Sequence, residues 1–196
     1  FAGCGYGGSC FPKDIRALVR TLGDYGVDAS ILEAVERMND AQKRYLLEAV
    51  EERFGGERLS GLTFAVWGLS FKPETDDMRE APAIVVVEGL LERGARVHVH
   101  DPQALEVARR HFGDRVTYCE HNYDALTGAD ALLIITEWKP YRRPDFQKMK
   151  GLMRQPIIFD GRNLFEPERM RELGFEYVSI GRPRVVPAAT RAIAAT

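Results

Sequence analysis

Between Leu62 and Ile180, short apolar runs alternate with helical segments, and this alternation restricts the fold more than any other feature of the chain. The runs Thr63–Trp67, Arg96–His100, Val116–Cys119, Ala131–Thr136, Ile157–Asp160 and Glu176–Ile180 are predicted strands. Helical segments are predicted between them at Ala81–Arg93, Ala104–Phe112, Tyr123–Leu126, Asp145–Leu152 and Pro167–Leu173. The run Ala131–Thr136 reads Ala-Leu-Leu-Ile-Ile-Thr, so both of its faces need cover. Such strands, alternating with helices, predict an α/β fold with a Rossmann-like, doubly wound, mostly parallel sheet. Right-handed crossovers make 3-2-1-4-5-6 the expected strand order.

Upstream of this pattern the signals are helical. Pro12 suits a first helical turn, where its absent N–H costs nothing. Ile15, Leu18, Val19 and Leu22 then recur on one helix face, and Gly23 and Gly26 are expected to end that helix. A second helix is predicted over Ser30–Phe54, near the upper end of ordinary helix length. It reads either as a spine between domains or a subunit contact, or as a surface helix packed on its own domain. Residues 1–58 are therefore expected to form a helical region with a role in homodimerisation, residues 59–182 the α/β domain, and residues 183–196 a flexible Pro- and Ala-rich tail.

Composition narrows the function classes. A formal net charge of -2 and a pI near 6.1 argue against a nucleic-acid partner. No apolar run is long enough to span a bilayer, and no signal peptide is visible. The three cysteines, Cys4, Cys10 and Cys119, are odd in number and form no Cys-x-x-Cys pair. A disulfide framework or zinc site is not expected, and a cytoplasmic location is. His98 and His100 share a strand face without a third ligand spaced to join them, so no metal is expected. The chain starts at Phe1, directly in a glycine-rich motif, which reads as the interior of a longer sequence.

That motif carries the chemistry. Gly3, Gly5, Gly7 and Gly8 let backbone approach a ligand closely, and a helix begins just beyond them. Its unpaired N–H groups attract anions and stabilise a thiolate. Cys10 sits at this terminus with Lys13 beside it, a setting suited to a nucleophile. The plainer alternative is a buried, inert cysteine. Asp14 lies in the first turn of that helix, where a carboxylate complements the helix dipole.

Two further segments follow strands at the carboxyl edge of the sheet. Gly68–Arg79 has a single glycine and is not a G-x-G-x-x-G dinucleotide fingerprint. Its Lys72 and Arg79 suit anionic groups or are solvated loop charges, and Asp76-Asp77 reads as a helix N-cap. Asp101-Pro102 reads as a turn or helix cap, Trp67 and Trp138 as packing residues, and Glu137–Arg143 as a surface loop.

Gly5–Asp14 (GYGGSCFPKD), Gly68–Glu80 (GLSFKPETDDMRE) and Asp160–Asn163 (DGRN) together resemble the UDP-glucose/GDP-mannose dehydrogenase family, nearest to its UDP-glucose-oxidising branch. The resemblance implies that Cys10 traps a C6 aldehyde as a thiohemiacetal, which is oxidised to a thioester and hydrolysed, with Asp14 helping to place water. It implies that the backbone of Phe1, Ala2, Gly3, Cys4 and Gly5 cradles the sugar and that Phe71, Lys72 and Arg162 contact the UDP-sugar. Cys10 and Lys13 would lie against the nicotinamide of NAD, and Arg79 would reach that cofactor. NAD would be held mainly by an N-terminal domain outside these residues, so the chain alone is expected to be inactive. Cys4 reads as a packing variant. The alternatives are another substrate (GDP-mannose or a UDP-N-acetylhexosamine), a non-catalytic nucleotide-sugar-binding and dimerisation module, and a redox-sensing cysteine protein.

Overall fold

The computed structural model describes residues 2–56 and 58–187. Two helices come first, α1 (Phe11–Asp24) and α2 (Ser30–Phe54). The α/β region then runs β1 (Thr63–Trp67), α3 (Pro82–Glu92), β2 (Arg96–His100), α4 (Leu105–Phe112) and β3 (Thr117–Tyr118). It continues with α5 (Asn122–Leu126), β4 (Ala131–Ile134), α6 (Phe146–Leu152), β5 (Ile157–Asp160), α7 (Pro167–Glu172) and β6 (Glu176–Ser179). All strand pairs are parallel, and the order is β3-β2-β1-β4-β5-β6, as the crossover rule predicts.

Strand alternation feeds two cores. Phe64 and Val66, with Val97, Val99, Leu133 and Phe159, face α2, α3 and α4. Ala65 and Trp67, with Leu132, Ile134, Ile158 and Tyr177, face α5, α6 and α7. Helix α3 is apolar nearly all round because α2 lies over it: Val86, Val87 and Leu90 are buried in the same core as Leu46, Leu47 and Val50 of α2. Each such side chain contributes roughly 1.5–3 kcal/mol by leaving water. The C-terminal half of α2 is therefore an integral layer of the domain. Its N-terminal half is not, with Ile31 79% and Met38 67% exposed.

The crevice between β1 and β4, where the strand order reverses, is filled by the chain's own groups. Gly68, at φ 92°, turns so tightly that a Cβ there would lie 2.5 Å from Cβ of Thr136. Thr136 donates its hydroxyl to the Ser70 carbonyl at 2.5 Å, and this turn ends β4 at Ile134, short of the expected Thr136. Asp101, fully buried at the end of β2, accepts from Leu69 N (2.7 Å), Ser70 N and Oγ (3.1 Å each), Trp138 Nε1 (3.0 Å), and Gln103 N and Ala104 N (2.9 Å each). The expected turn-and-cap role of Asp101 is present, extended to a joint of three loops.

Other expectations need correction. Gly23 lies inside α1, which closes at Asp24 through Gly26 N–H to Gly23 O and Val27 N–H to Leu22 O. Of the expected apolar face of α1 only Ile15 is buried, because α1 meets little besides α2. Asp76-Asp77 caps no helix: α3 starts at Pro82, and Asp77 instead accepts from Arg79 N and pairs with its guanidinium. The Glu137–Arg143 segment is anchored rather than superficial, since Trp138 and Tyr141 are buried and Tyr141 stacks on Trp67 with centroids 4.9 Å apart. Of the expected tail, Val185 bridges Tyr177 in antiparallel fashion, and residues 188–196 lie outside the described residues. Among the described residues no helix is long and apolar enough to cross a membrane.

Replacing Asp101 by Ala strips buried donors of a charged partner and should cost about 3 kcal/mol or more. Urea denaturation reads this directly, and a loss below about 1 kcal/mol would contradict the role given to Asp101.

Candidate active site

The glycine loop is held by the α/β domain at both ends. Cys4 N–H donates to Gly161 O at 3.0 Å, and Gly8 N–H to Arg79 O at 2.8 Å. Between these points Tyr6 N–H donates to Asn39 Oδ1 at 2.7 Å, Asn39 Nδ2 donates to Tyr6 O at 3.2 Å, and Gln42 Nε2 donates to Gly3 O at 2.7 Å. The Phe71 ring lies directly on Gly8. The loop thus reaches α1 with its course fixed, and Cys10 becomes the N-cap residue of that helix, exposed and unpaired with another cysteine. Asp14 N–H donates to Cys10 O at 2.8 Å, which places Asp14 one turn further along.

The DGRN segment is a turn in which each polar residue has a distinct task. Asp160, buried at the end of β5, accepts from Arg162 N (2.9 Å), Leu164 N (2.7 Å) and the Tyr177 hydroxyl (2.7 Å). Burial raises its carboxyl above the usual range, against these hydrogen bonds. Asn163, at φ 54°, exchanges two hydrogen bonds with Ile180 N and O at 2.9 and 3.0 Å and so ties the turn to the end of β6. Arg162 is thereby aimed back over the glycine loop, donating Nε to Ile135 O at 2.7 Å and Nη2 to Phe71 O at 3.4 Å. Its Nε is also 3.1 Å from Glu137 Oε2, yet its proton points to Ile135, which leaves that buried carboxylate oxygen without a donor.

Gly3, Gly5, Phe71 and Arg162 line one cavity of about 840 Å³, together with Tyr6, Gly7, Asn39, Gln42 and the exposed face of α2. Ala2 lines a smaller neighbour of about 360 Å³, also bordered by Arg162 and Glu137. Phe1 lies outside the described residues. Cys10, Lys13, Asp14, Lys72 and Arg79 stand outside the lining of the large cavity. Lys13 pairs with Asp14 at 3.5 Å, both exposed. Lys72 holds its amine 5.4 Å from the centre of the Phe71 ring, and exposed Arg79 pairs with Asp77. Cys4 is fully buried beneath the loop, and burial pushes its thiol up to about 11 against the pull of Arg162.

Sequence reasoning missed Asn39, Gln42, Lys43 and Glu80. Lys43, almost fully buried, reaches Glu80 at 3.3 Å, and Arg16 of α1 reaches the same carboxylate at 2.9 Å. The available signal was Asn39, Gln42 and Lys43 at i, i+3 and i+4, three polar residues on one helix stripe. The Arg16 hydrogen bond is the largest of the effects holding the Glu80 carboxyl below its usual range. A carboxylate depressed on folding adds stability above its unfolded pKa, about 4.3, and loses that contribution as pH falls through the folded value. Glu80→Gln should therefore lower Tm at neutral pH, and the gap to the unsubstituted protein should close below about pH 4. A gap that is equal at every pH would rule out the ion pairs as its source.

A doubly wound parallel domain of this topology, with a cavity at its junction with a helical region, defines an α/β class of the kind that binds nucleotides. Residues 65–167 match the UDP-binding domain of the UDP-glucose/GDP-mannose dehydrogenase family and residues 1–41 match its central domain, so the chain belongs to that family. It is 53% identical over 189 residues to a UDP-glucose 6-dehydrogenase of Pseudomonas aeruginosa, covering 94% of this chain and 42% of the relative. It is 44% identical to one of Rhizobium meliloti, covering 93% and 41%. A UDP-glucose dehydrogenase structure from Pyrobaculum islandicum superimposes with TM-score 0.76 at 40% identity, covering 91% of this chain and 38% of that one. An NDP-N-acetyl-D-galactosaminuronic acid dehydrogenase from Methanosarcina mazei gives TM-score 0.75 at 27% identity, covering 93% and 39%.

Proposed function

We propose that the chain is the sugar-nucleotide-binding and nucleophile-bearing part of an NAD-dependent UDP-glucose 6-dehydrogenase, which oxidises UDP-glucose to UDP-glucuronate. The observation that carries this reading is Cys10, exposed at the start of α1, at the end of a loop whose earlier glycines wall a cavity with Phe71 and Arg162. Oxidation of the C6 alcohol gives an aldehyde. The Cys10 thiolate adds to its carbonyl carbon to form a thiohemiacetal, and loss of a second hydride leaves a thioester. Water adds to the thioester carbonyl, the thiolate leaves, and the carboxylate is released. Asp14, one turn beyond Cys10, serves to orient that water. Cys4 takes no part, because burial holds it in the thiol form.

NAD, when bound, accepts the hydride of each oxidation. The chain's own sheet edge does not fit it, since the crevice is filled by Asp101, Trp138 and the turn at Gly68. The exposed groups flanking Cys10 do fit: Lys13 follows it on α1, and Arg79, whose carbonyl anchors Gly8, presents its guanidinium to solvent. These two cations would hold anionic parts of the cofactor, with the rest held by protein outside this chain, and the chain alone would reduce no NAD. The backbone of Phe1–Gly5, with Phe71, Lys72 and Arg162, would hold the UDP-sugar. UDP-glucose is favoured over other sugar nucleotides because identity to a structure named for it is 40%, against 27% for one named for an N-acetylated sugar acid. The protein would act in the cytoplasm, where a free thiol such as Cys10 stays reduced.

Ile31, Val35 and Met38 recur at i, i+4 and i+7 as an exposed apolar stripe on α2, which supports a homodimer formed through the long helix. Changing Ile31 and Met38 to Glu should shift the full-length enzyme toward monomer in light scattering, and an unchanged mass would place the contact elsewhere. Cys10→Ser in the full-length enzyme should lower UDP-glucuronate formation by about 10³-fold or more. Normal production of the acid by that variant would remove Cys10 from the mechanism.

A further inference from the structure

We propose that Asn39 is a positioning residue that aims the Cys10 loop, an inference that rests on the dehydrogenase reading of the site. Asn39 is 8% exposed on a helix whose neighbouring residues are mostly open to solvent. Its side-chain amide takes both polar groups of one residue, accepting from Tyr6 N–H at 2.7 Å and donating to Tyr6 O at 3.2 Å. A side chain here imitates the paired hydrogen bonds of an antiparallel strand. A primary amide of this length offers an acceptor and a donor side by side in that plane, which an ionised carboxylate or an alkyl side chain does not.

The backbone is shaped to receive it. Gly5 stands at φ 101°, and a Cβ there would lie 3.0 Å from Asn39 Oδ1 and 2.9 Å from Lys43 Cγ. The loop is therefore pressed onto α2 at the residue before the clamped one. Gln42, one turn further along the same face, holds Gly3 O at 2.7 Å and fixes the upstream side. Downstream, the Tyr6 ring meets Phe11 edge-on with centroids 4.7 Å apart, and Phe11 is the first residue of α1, next to Cys10. A rotation of the Tyr6 peptide would thus be passed through Phe11 to the start of the helix that carries the sulfur. Asn39 acts through Tyr6 and is not itself a reacting group.

The test uses the full-length enzyme. Asn39→Ala should lower kcat for UDP-glucose oxidation by about 10–100-fold, the effect of a misplaced reacting group. Asn39→Asp gives the sharper readout. A protonated carboxylic acid offers the same acceptor and donor as the amide, whereas its ionised form turns a negative oxygen toward Tyr6 O. The activity of Asn39→Asp relative to the unsubstituted enzyme should therefore rise as pH falls from about 8.5 to 6. Burial and the Glu36 and Asp40 carboxylates near Tyr6 favour the protonated acid, against the Lys43 ammonium, which is paired with Glu80. A residue needed only for folding would give less protein with no such recovery. A flat ratio across that range, or Asn39→Ala with kcat within about two-fold of normal, overturns the proposal. Iodoacetamide labelling of Cys10, followed by peptide mass, reads the same clamp without turnover. Its rate should change several-fold in Asn39→Ala and move back toward normal at low pH in Asn39→Asp. If the unsubstituted enzyme fails to oxidise UDP-glucose, the proposed function falls while labelling still decides the clamp: an unchanged rate overturns it.

Discussion

Burial of Leu46, Leu47 and Val50 against α3 and the sheet fixes the long helix, and the contacts that shape the glycine loop are made from that fixed helix or from the sheet's carboxyl edge. A helix of 25 residues rises about 37 Å, so only part of α2 can lie on the domain. The buried C-terminal half sets its direction. The stripe of Asn39, Gln42 and Lys43 then falls beside the glycine loop and Glu80. The remaining N-terminal turns overhang, which is why their apolar residues stay open. Loosening the Leu47 contact with α3 would therefore disturb a loop about forty residues away in sequence.

The domain keeps the topology of a dinucleotide-binding sheet and uses its carboxyl edge differently. In that topology a ligand ordinarily enters at the strand-order reversal. Here Asp101 gathers donors from the loops after β1, β2 and β4, and Gly68 closes onto Thr136. Residues leaving the same edge, Phe71 after β1 and Arg162 after β5, are directed toward the glycine loop and α2 instead. Space for a ligand moves from the middle of the sheet edge to its junction with the helical region. Asn163 matters for the same reason, because its left-handed turn and its bonds to Ile180 send Arg162 across rather than outward.

Most of the sheet was legible because β1 and β5 are buried on both faces and show as apolar runs with polar or glycine limits, whereas β2 alternates Val97 and Val99 with Arg96, His98 and His100. Strand β3 was read two residues too long: Val116 and Cys119 flank it and are buried like strand residues, and Cys119 N–H still donates to Val99 O at 2.9 Å. The Cys10 loop was legible from local chemistry, glycines followed by cysteine and Pro12. Its supports were not. Asn39 and Gln42 sit within a helix read by its apolar period, and their partners lie 33 and 39 residues upstream, a separation that no local rule spans. Asp77 was misread as a cap because an Asp before a helical run satisfies that rule, whereas the chain makes an Arg79 turn first and starts α3 at Pro82.

The loop also shows how one backbone gives opposite exposure to two cysteines six residues apart. Cys4 is drawn under Arg162 by the bond from its N–H to Gly161, and full burial makes ionisation expensive even beside that cation. Cys10 emerges beyond the last backbone tie at Gly8, where the chain turns into α1 and its side chain meets solvent. The difference does not come from the residue type, and at Cys4 the nearby guanidinium acts against the effect of burial. It comes from where the loop is tied. A chain tied through its backbone at residues 4, 6 and 8 makes its last such tie at Gly8, and beyond it Ser9 is half-buried and Cys10 is presented to solvent.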